Sequence, residues 1–440
     1  MKSGINITVI GGGSSYTPEL IAGLIGVEDL PMERVVLIDI PEARKKMESV
    51  RSFCQRLLDH NDPARKFSLE TSFDLPQALS GADFVLSQIR VGGMEKRALD
   101  EQIPLKYGAI GQETVGAGGF ANALRTIPVA LDIAKEVERI RPHARLINFT
   151  NPSGMVTEAL LRYTFIDTIG LCNVPITIER TIAQALQVPP DDIRLDIFGL
   201  NHLSFVRHVY LNGRDIISEV LAYLKGAHAD QSLMANIPEQ KWEPYMLEAF
   251  PMIPNPYLQY YWNSESALKQ QLDDWHQGMG TRATQVMKIE QDLFELYDDP
   301  SQQQLPDLLM RRGGAYYSSV AVMLIESLAL NRTRELVVNV RNQGSLPELP
   351  WDSVVEIPAV VDGRGARGVS GGSIPLAVKG LIQQVKAYEE LTIEAAVQGD
   401  RNKALAALIT NPLVPSSDVA KKILDDILHE NRVYLGRFSQ

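Results

Sequence analysis

Cysteine is scarce: the chain has 440 residues and two cysteines, Cys54 and Cys172. Two thiols in a chain of this length cannot form a disulfide framework, so a reducing cytoplasm is the expected compartment. No apolar run approaches the ~18 residues that a membrane-spanning helix needs. There is no basic excess either: 43 Lys+Arg against 54 Asp+Glu give a formal net charge of -11. That balance argues against nucleic acid or an anionic membrane as a partner. Met1–Asn6 is short and polar, and Ile7–Ile10 runs straight into glycines, unlike a secretory leader. No internal repeat or low-complexity tract interrupts the chain. What remains is a globular composition, 45% hydrophobic and 22% charged, long enough for two or three domains.

The first third reads as a nucleotide fold. Asn6–Ile10 is a buried-strand pattern, and Gly11-Gly12-Gly13-Ser14-Ser15 follows it. Next come Leu20, Ile21, Leu24 and Ile25 at helical spacing, then Val35–Asp39, a strand ending in an acid. Glycines permit a tight turn, and a helix start offers N–H groups to a pyrophosphate. Asp39 suits a ribose 2′-hydroxyl, which favours NAD over NADP, whose extra phosphate an acid repels. The fingerprint is incomplete, because Tyr16 stands where the third glycine belongs. An ordinary βαβ unit without a ligand has the same element order. Further strands are expected at Asp83–Ile89, Arg145–Phe149 and Ile169–Cys172, with Pro128–Ile140 as a crossover helix. The alternation predicts an α/β fold, a Rossmann-type doubly wound parallel sheet of the lactate/malate dehydrogenase kind. Ser87 and Arg90, at the end of the strand Asp83–Ile89, join Gly11, Gly12, Gly13, Ser14 and Asp39 as cofactor candidates.

The middle of the chain gathers polar groups at strand ends. Tyr107–Phe120 is rich in glycine and carries one carboxylate, Glu113. It reads as a loop that brings backbone close to a ligand, or as a surface loop with a solvated acid. Asn148 and Asn151 end a strand, where amides suit sugar hydroxyls but more often serve turns and caps. Ile169–Pro175 places Cys172 at a strand tip, where α/β folds carry their chemistry. A buried apolar cysteine is the common alternative. His202 follows the strand-like Leu195–Phe198. With Cys172 it could form a two-ligand site that leaves positions open for substrate oxygens.

Several motifs together resemble glycoside hydrolase family four. They are Gly11-Gly12-Gly13-Ser14, Leu99–Gly108, Gly111-Gln112-Glu113-Thr114, Asn151-Pro152, Cys172-Asn173-Val174-Pro175, Gly199-Leu200-Asn201-His202 and Tyr257-Leu258-Gln259-Tyr260-Tyr261. This NAD-dependent family departs from the usual two-carboxylate glycosidase chemistry. The resemblance implies hydride transfer from sugar C3 to NAD⁺, removal of the C2 proton, loss of the aglycone, addition of water and re-reduction. It implies Cys172 and His202 as ligands of a divalent metal, Mn²⁺ foremost, although a thiolate is an unusual partner for a hard ion. It implies Tyr257 as the base, with Tyr261 as the alternative, and Glu113 assisting it through a hydrogen bond. It implies Arg97, Asn151 and Arg282 as substrate contacts, the arginines suiting a phosphate through their planar forks. Asn173, counted with the catalytic and substrate-contacting positions, follows the cysteine where relatives acting on α-linked substrates carry an acid. An amide has no proton to give near neutral pH, so the resemblance favours β-linked phosphoglucosides over α-linked or uronic substrates.

Beyond Asn201 the alternation fades. His202–Leu211 reads as strand with a hairpin turn at Asn212-Gly213. Helices are expected at Gly280–Tyr297, Ala315–Asn331, Pro375–Gly399 and Ala404–Leu428, and strands at Val337–Arg341 and Val354–Val361. The expected organisation is a nucleotide-binding domain at 1–171 and an α+β substrate- and metal-binding domain at 172–440. A homodimer or homotetramer acting on a small phosphorylated β-glucoside is expected. An ordinary lactate/malate-type dehydrogenase and a nucleotide sensor without turnover remain the rival readings.

Overall fold

The apolar runs of the first third form six parallel strands: β1 (Ile5–Ile10), β2 (Met32–Ile38), β3 (Ser68–Ser72), β4 (Phe84–Ser87), β5 (Arg145–Asn148) and β6 (Thr168–Gly170). The structure, a computed structural model, describes residues 4–61, 67–226, 242–312 and 316–439. The strands lie in the order β3-β2-β1-β4-β5-β6, each parallel to its neighbour. All four residues of β4 are buried, as expected of a strand covered on both faces. The order reverses between β1 and β4, and in such sheets ligands bind beyond the carboxyl ends of the strands at that point.

The second half builds β7 (Ile193–Leu200), β8 (Leu203–Leu211), β9 (Arg214–Asp215) and β10 (Ile253–Pro254) into a small antiparallel sheet. Asn212 and Gly213 make the turn from β8 to β9 with φ of 50° and 81°, the left-handed pair that a tight hairpin prefers. Three further strands, β11 (Arg334–Arg341), β12 (Val354–Asp362) and β13 (Gly365–Gly368), extend the parallel sheet antiparallel beyond β6. The expected boundary at residue 171 thus falls just past β6, and strands from both sides of it share one sheet.

Three helical readings are corrected. The glycine-rich stretch ending at Phe120 is not all loop: one helix runs Gly116–Ile140, straight through Pro128. Its glycines serve close packing, since a Cβ on Gly118 would lie 2.8 Å from the Asp100 carbonyl oxygen and closer still to that of Gln112. Ala404–Leu428 is two helices, Arg401–Thr410 and Ser417–Glu430. Pro412 and Pro415 break the run, and Ser416 caps the second helix by accepting from the Val419 N–H. Ala315 lies outside the described residues, and the helix expected from it is observed as Tyr317–Leu330. Among the described residues, no helix is long and apolar enough to cross a membrane.

A buried ion cluster joins the helix Leu376–Gln398 to the sheet. Lys386 Nζ lies 2.8 Å from Glu158 Oε2 and 2.6 Å from Glu389 Oε2, and donates to the Val354 carbonyl at 2.9 Å. Glu158 Oε2 also accepts from the Val354 N–H of β12 at 2.8 Å. All three charged residues are buried. Removing the one ammonium takes from Glu389 its buried ion-pair partner and leaves Glu158 to Arg162 alone, at 3.0 Å, which costs far more than losing a surface pair. Lys386→Met should lower the unfolding free energy by about 3–5 kcal/mol, read from urea denaturation; a loss below 1 kcal/mol contradicts the role given to this cluster.

Candidate active site

Each proposed cofactor residue sits at the carboxyl edge of the parallel sheet. The N–H groups of Gly11 and Gly12 both donate to the Ile38 carbonyl at 2.9 Å. The Gly13 N–H donates to Asp39 Oδ2 at 2.9 Å. A Cβ on Gly11, which has φ 82°, would lie 2.8 Å from the Gln88 carbonyl oxygen, and one on Gly12 would lie 2.7 Å from Leu37 Cβ. Only glycine lets the turn press this close to β2 and β4. Asp39 is half-buried at the end of β2, its second oxygen held by the Ile40 N–H. Burial raises its pKa, against the pull of those N–H groups. A carboxylate fixed by backbone beside a glycine turn fits a dinucleotide ribose. Tyr16 takes the third glycine position without obstructing the turn, because its ring packs away from it, under Arg312 at 4.2 Å and 6.0 Å from the Tyr317 ring.

Two cofactor candidates have other work in the structure. Ser87 is buried, and its hydroxyl shares a hydrogen bond of 2.9 Å with Thr150. It ties the end of β4 to the segment just past β5. Arg90 is drawn to Glu113, at 2.6 Å. The amides divide in the same way. Asn148 is buried and bonded to Thr150, Ser153 and Thr157. Asn151 Oδ1 accepts from the Ser153 N–H at 3.3 Å, at the start of the helix Ser153–Tyr163. That leaves the Asn151 side chain partly exposed at the same sheet edge.

Cys172 and His202, thirty residues apart, meet there. Sγ and Nε2 are 3.5 Å apart, and both residues are buried. Cys172 leads into the helix Val174–Leu186, and the Val174 N–H points at its sulfur from 3.5 Å. His202 occupies the two-residue turn between β7 and β8 with φ 64°, a strained backbone for a side chain of this size. Burial, only partly opposed by Glu113, lowers its pKa to about 4. The imidazole is therefore neutral and offers a lone pair. Burial and the nearby Glu356 push the Cys172 thiol well up, and a bound cation reverses that preference. Among the described residues, no group of three or more His, Cys, Asp or Glu stands ready for a metal. A pair of buried donors with no third ligand fits a catalytic ion that keeps positions open for substrate oxygens.

The three tyrosines have different surroundings. Tyr257 stacks on His202, ring centroids 4.0 Å apart and planes 13° from parallel. Tyr260 lies 6.2 Å from Tyr257, and Tyr261 is set beside Glu389 instead. Pro256–Leu258 is a 3₁₀ turn, and a short helix Gln259–Trp262 follows it. Burial first, then the Glu113 charge, raises the pKa of Tyr257. Glu113 acts through this charge, while its own oxygens face Arg90 and Arg97, at 2.6 and 3.2 Å; the tyrosine is hydrogen-bonded by Thr114. Burial would raise the pKa of Glu113, but the two arginines outweigh it and hold the group at about 2.

Arg97 is buried and also binds Glu101 at 2.9 Å. The other oxygen of Glu101 accepts from the Ala283 N–H at 2.8 Å, anchoring the helix Arg282–Asp298. Arg282 is thereby set near Arg97. Burial, with the like charge of Arg97, lowers its pKa. Asn173 stands at the N-cap position of the helix after Cys172. Sequence reading missed Arg312, which pairs with Glu290 at 2.9 Å, and Glu356, Asn255 and Glu101. Glu101 lies inside a quoted motif; the others carry no local signal, because long-range packing alone brings them here.

Comparison with known proteins agrees with this geometry. Residues 6–188 match the model of the family 4 glycosyl hydrolases, and residues 197–414 match that of the family 4 glycosyl hydrolase C-terminal domain. A Bacillus subtilis (strain 168) protein named "Probable 6-phospho-beta-glucosidase" is 44% identical over 440 residues, covering 100% of this chain and 99% of its own. The 6-phospho-β-glucosidase of Thermotoga maritima, solved with manganese, NAD⁺ and glucose-6-phosphate, superposes with a TM-score of 0.87 at 38% identity, covering 98% of this chain and 99% of its own. Plasmodium falciparum malate dehydrogenase, at 13% identity, 89% and 98% coverage and a TM-score of 0.54, shares the fold alone. Motifs, fold and full-length similarity converge, and the chain belongs to glycoside hydrolase family 4.

Proposed function

We propose that this chain hydrolyses 6-phospho-β-glucosides to glucose 6-phosphate and an aglycone, with NAD and a divalent cation, Mn²⁺ foremost, as cofactors. The observation that carries the reading is the meeting of Cys172, His202 and Tyr257 at one sheet edge, beside a carboxylate that two arginines keep ionised. Full-length relatives named for this activity support it, as does a relative solved with the three small molecules involved.

When bound, the nicotinamide takes and returns the C3 hydride, and the cation polarises the sugar C2 and C3 oxygens. The protein's part is placement and proton transfer. The glycine turn and Asp39 hold the dinucleotide. Cys172 and His202 would hold the cation, the imidazole being neutral and so able to offer a lone pair. Tyr257 removes the C2 proton through its phenolic oxygen. The negative charge of Glu113 makes the Tyr257 phenolate a stronger base, because a second anion nearby disfavours ionisation and so strengthens proton capture. Arg97 and Arg282, two cations crowded together, receive the sugar phosphate through paired N–H donors. Asn173, an amide, binds without supplying a proton, which fits a β-linked substrate in this reading.

Three measurements test this. Nitrophenol release from p-nitrophenyl β-glucoside 6-phosphate is expected only with NAD⁺, Mn²⁺ and a thiol reductant all present, without net NADH. Turnover lacking NAD⁺ contradicts the mechanism, and NADH in step with product means a dehydrogenase. Tyr257→Phe should lower kcat by about 10²–10⁴-fold while NAD⁺ titration is unchanged. Arg282→Ala should raise KM for the phosphorylated sugar by roughly 10–100-fold, the loss of a charged hydrogen bond, with NAD⁺ affinity intact; equal loss of both removes the phosphate assignment.

A further inference from the structure

Glu356 has no part in the steps above, yet it lies behind two residues that do. It is fully buried in the middle of β12. In register it pairs with Asn339 of β11, and Asn339 pairs with Gly170 of β6, two residues before Cys172. The row is tight: a Cβ on Gly170 would lie 2.8 Å from Asn339 Cβ. One oxygen of Glu356 accepts from Asn201 Nδ2 at 2.7 Å, and the other accepts from Ser204 Oγ at 3.2 Å. These two residues bracket the turn that presents His202 in its left-handed conformation. The bonds continue from Ser204. Its Oγ accepts from Asn255 Nδ2 at 2.9 Å, and its carbonyl accepts from the Asn255 N–H at 3.0 Å. Asn255 Oδ1 then accepts from the Tyr257 N–H at 3.0 Å.

The chemistry of the pairings explains why a carboxylate stands here. Asn201 and Ser204 both present donors to it, and these bonds favour the ionised, acceptor-only form against the burial that raises its pKa to about 7. It thereby fixes which way the Asn201 amide faces. It also makes the Ser204 hydroxyl donate, which leaves that oxygen free to accept from Asn255. A glutamine of the same shape must turn an NH₂ group toward one of the two donors. A buried acid whose partners are an amide and a hydroxyl is costly to keep, and a purely structural role is better filled by an apolar side chain.

We propose that Glu356 is a positioning residue that sets His202 and Tyr257 against each other, through Asn201 on one side and through Ser204 and Asn255 on the other. The proposal rests on the reading of Cys172 and His202 as a metal pair. Residues behind a metal ligand orient it, and losing one typically weakens metal binding by about 10–100-fold.

The test compares Glu356→Gln and Ser204→Ala with the unaltered full chain. Mn²⁺ binding is followed by loss of the free-ion electron paramagnetic resonance signal, and NAD⁺ binding by tryptophan quenching. Glu356→Gln should weaken Mn²⁺ binding by about 10–100-fold and leave NAD⁺ affinity at the unaltered value. Ser204→Ala, a milder change that keeps the fold, should weaken Mn²⁺ binding less. The double variant should be no weaker than Glu356→Gln alone, because both act through one chain of bonds. Unchanged Mn²⁺ binding in both variants overturns the proposal. So does a parallel loss of Mn²⁺ and NAD⁺ affinity, which marks a merely structural residue, and so do additive effects in the double variant. If the unaltered chain takes up no Mn²⁺, or Cys172→Ala still binds it as well, the metal reading itself fails and the positioning role falls with it.

Discussion

The charge on Glu113 organises this cleft. A carboxyl buried at that depth stays ionised only because Arg90 and Arg97 face it. The pairing has two consequences. It draws Arg97 into the interior, where Glu101 takes its other side and anchors the helix that begins with Arg282. It also keeps a permanent negative charge beside Tyr257. Remove the arginines and burial favours the protonated form of Glu113; remove Glu113 and the half-buried Arg90 loses its partner while the buried Arg97 keeps only Glu101. Cation, anion and phenol form one electrostatic unit, and none of the three has its function apart from the others.

Much of this was legible from residues alone, for physical reasons. Strands such as Phe84–Ser87 are buried on both faces, so their apolar runs declare themselves without tertiary information. The glycine turn is legible because packing tolerates no Cβ at Gly11 or Gly12. Cys172 and His202 are each an ordinary residue in isolation, and what identified them was the family pattern in which they stand. Where local reading failed, a non-local contact had overridden it. Gly116–Phe120 looks like a flexible loop, yet it is the start of a helix wedged against the backbone of Asp100 and Gln112. Glu356 sits in a run of valine, isoleucine and proline that reads as plain strand. Only the β6–β11–β12 register places it behind Cys172.

The antiparallel extension β11–β13 explains how one sheet serves two chemistries. The parallel part ends its strands at the nucleotide turn, as any doubly wound sheet does. The added strands carry no nucleotide motif. They bring Glu356 beside the small sheet's β7–β8 turn, and they seat the helix Leu376–Gln398 through Lys386. The dehydrogenase-like half is thereby joined to the β7–β8 turn and to the helix Leu376–Gln398.

A conflict built into the Tyr257 environment points to the role of charge at the neighbouring histidine. Burial and Glu113 both hold the phenol protonated, and a protonated phenol removes no proton. Negative surroundings strengthen the phenolate as a base but make it rare. The ring is stacked at 4.0 Å on His202, so in the proposed reading a cation held by His202 and Cys172 would act on Tyr257 at short range in a low-dielectric interior. Such a cation would offset the cost of ionising the phenol while Glu113 preserves its basicity. With the two rings stacked, a displacement of the β7–β8 turn would shift the proposed ligand and the proposed base together, and the bonds of Asn201 and Ser204 to Glu356 tie that turn down on both sides of His202.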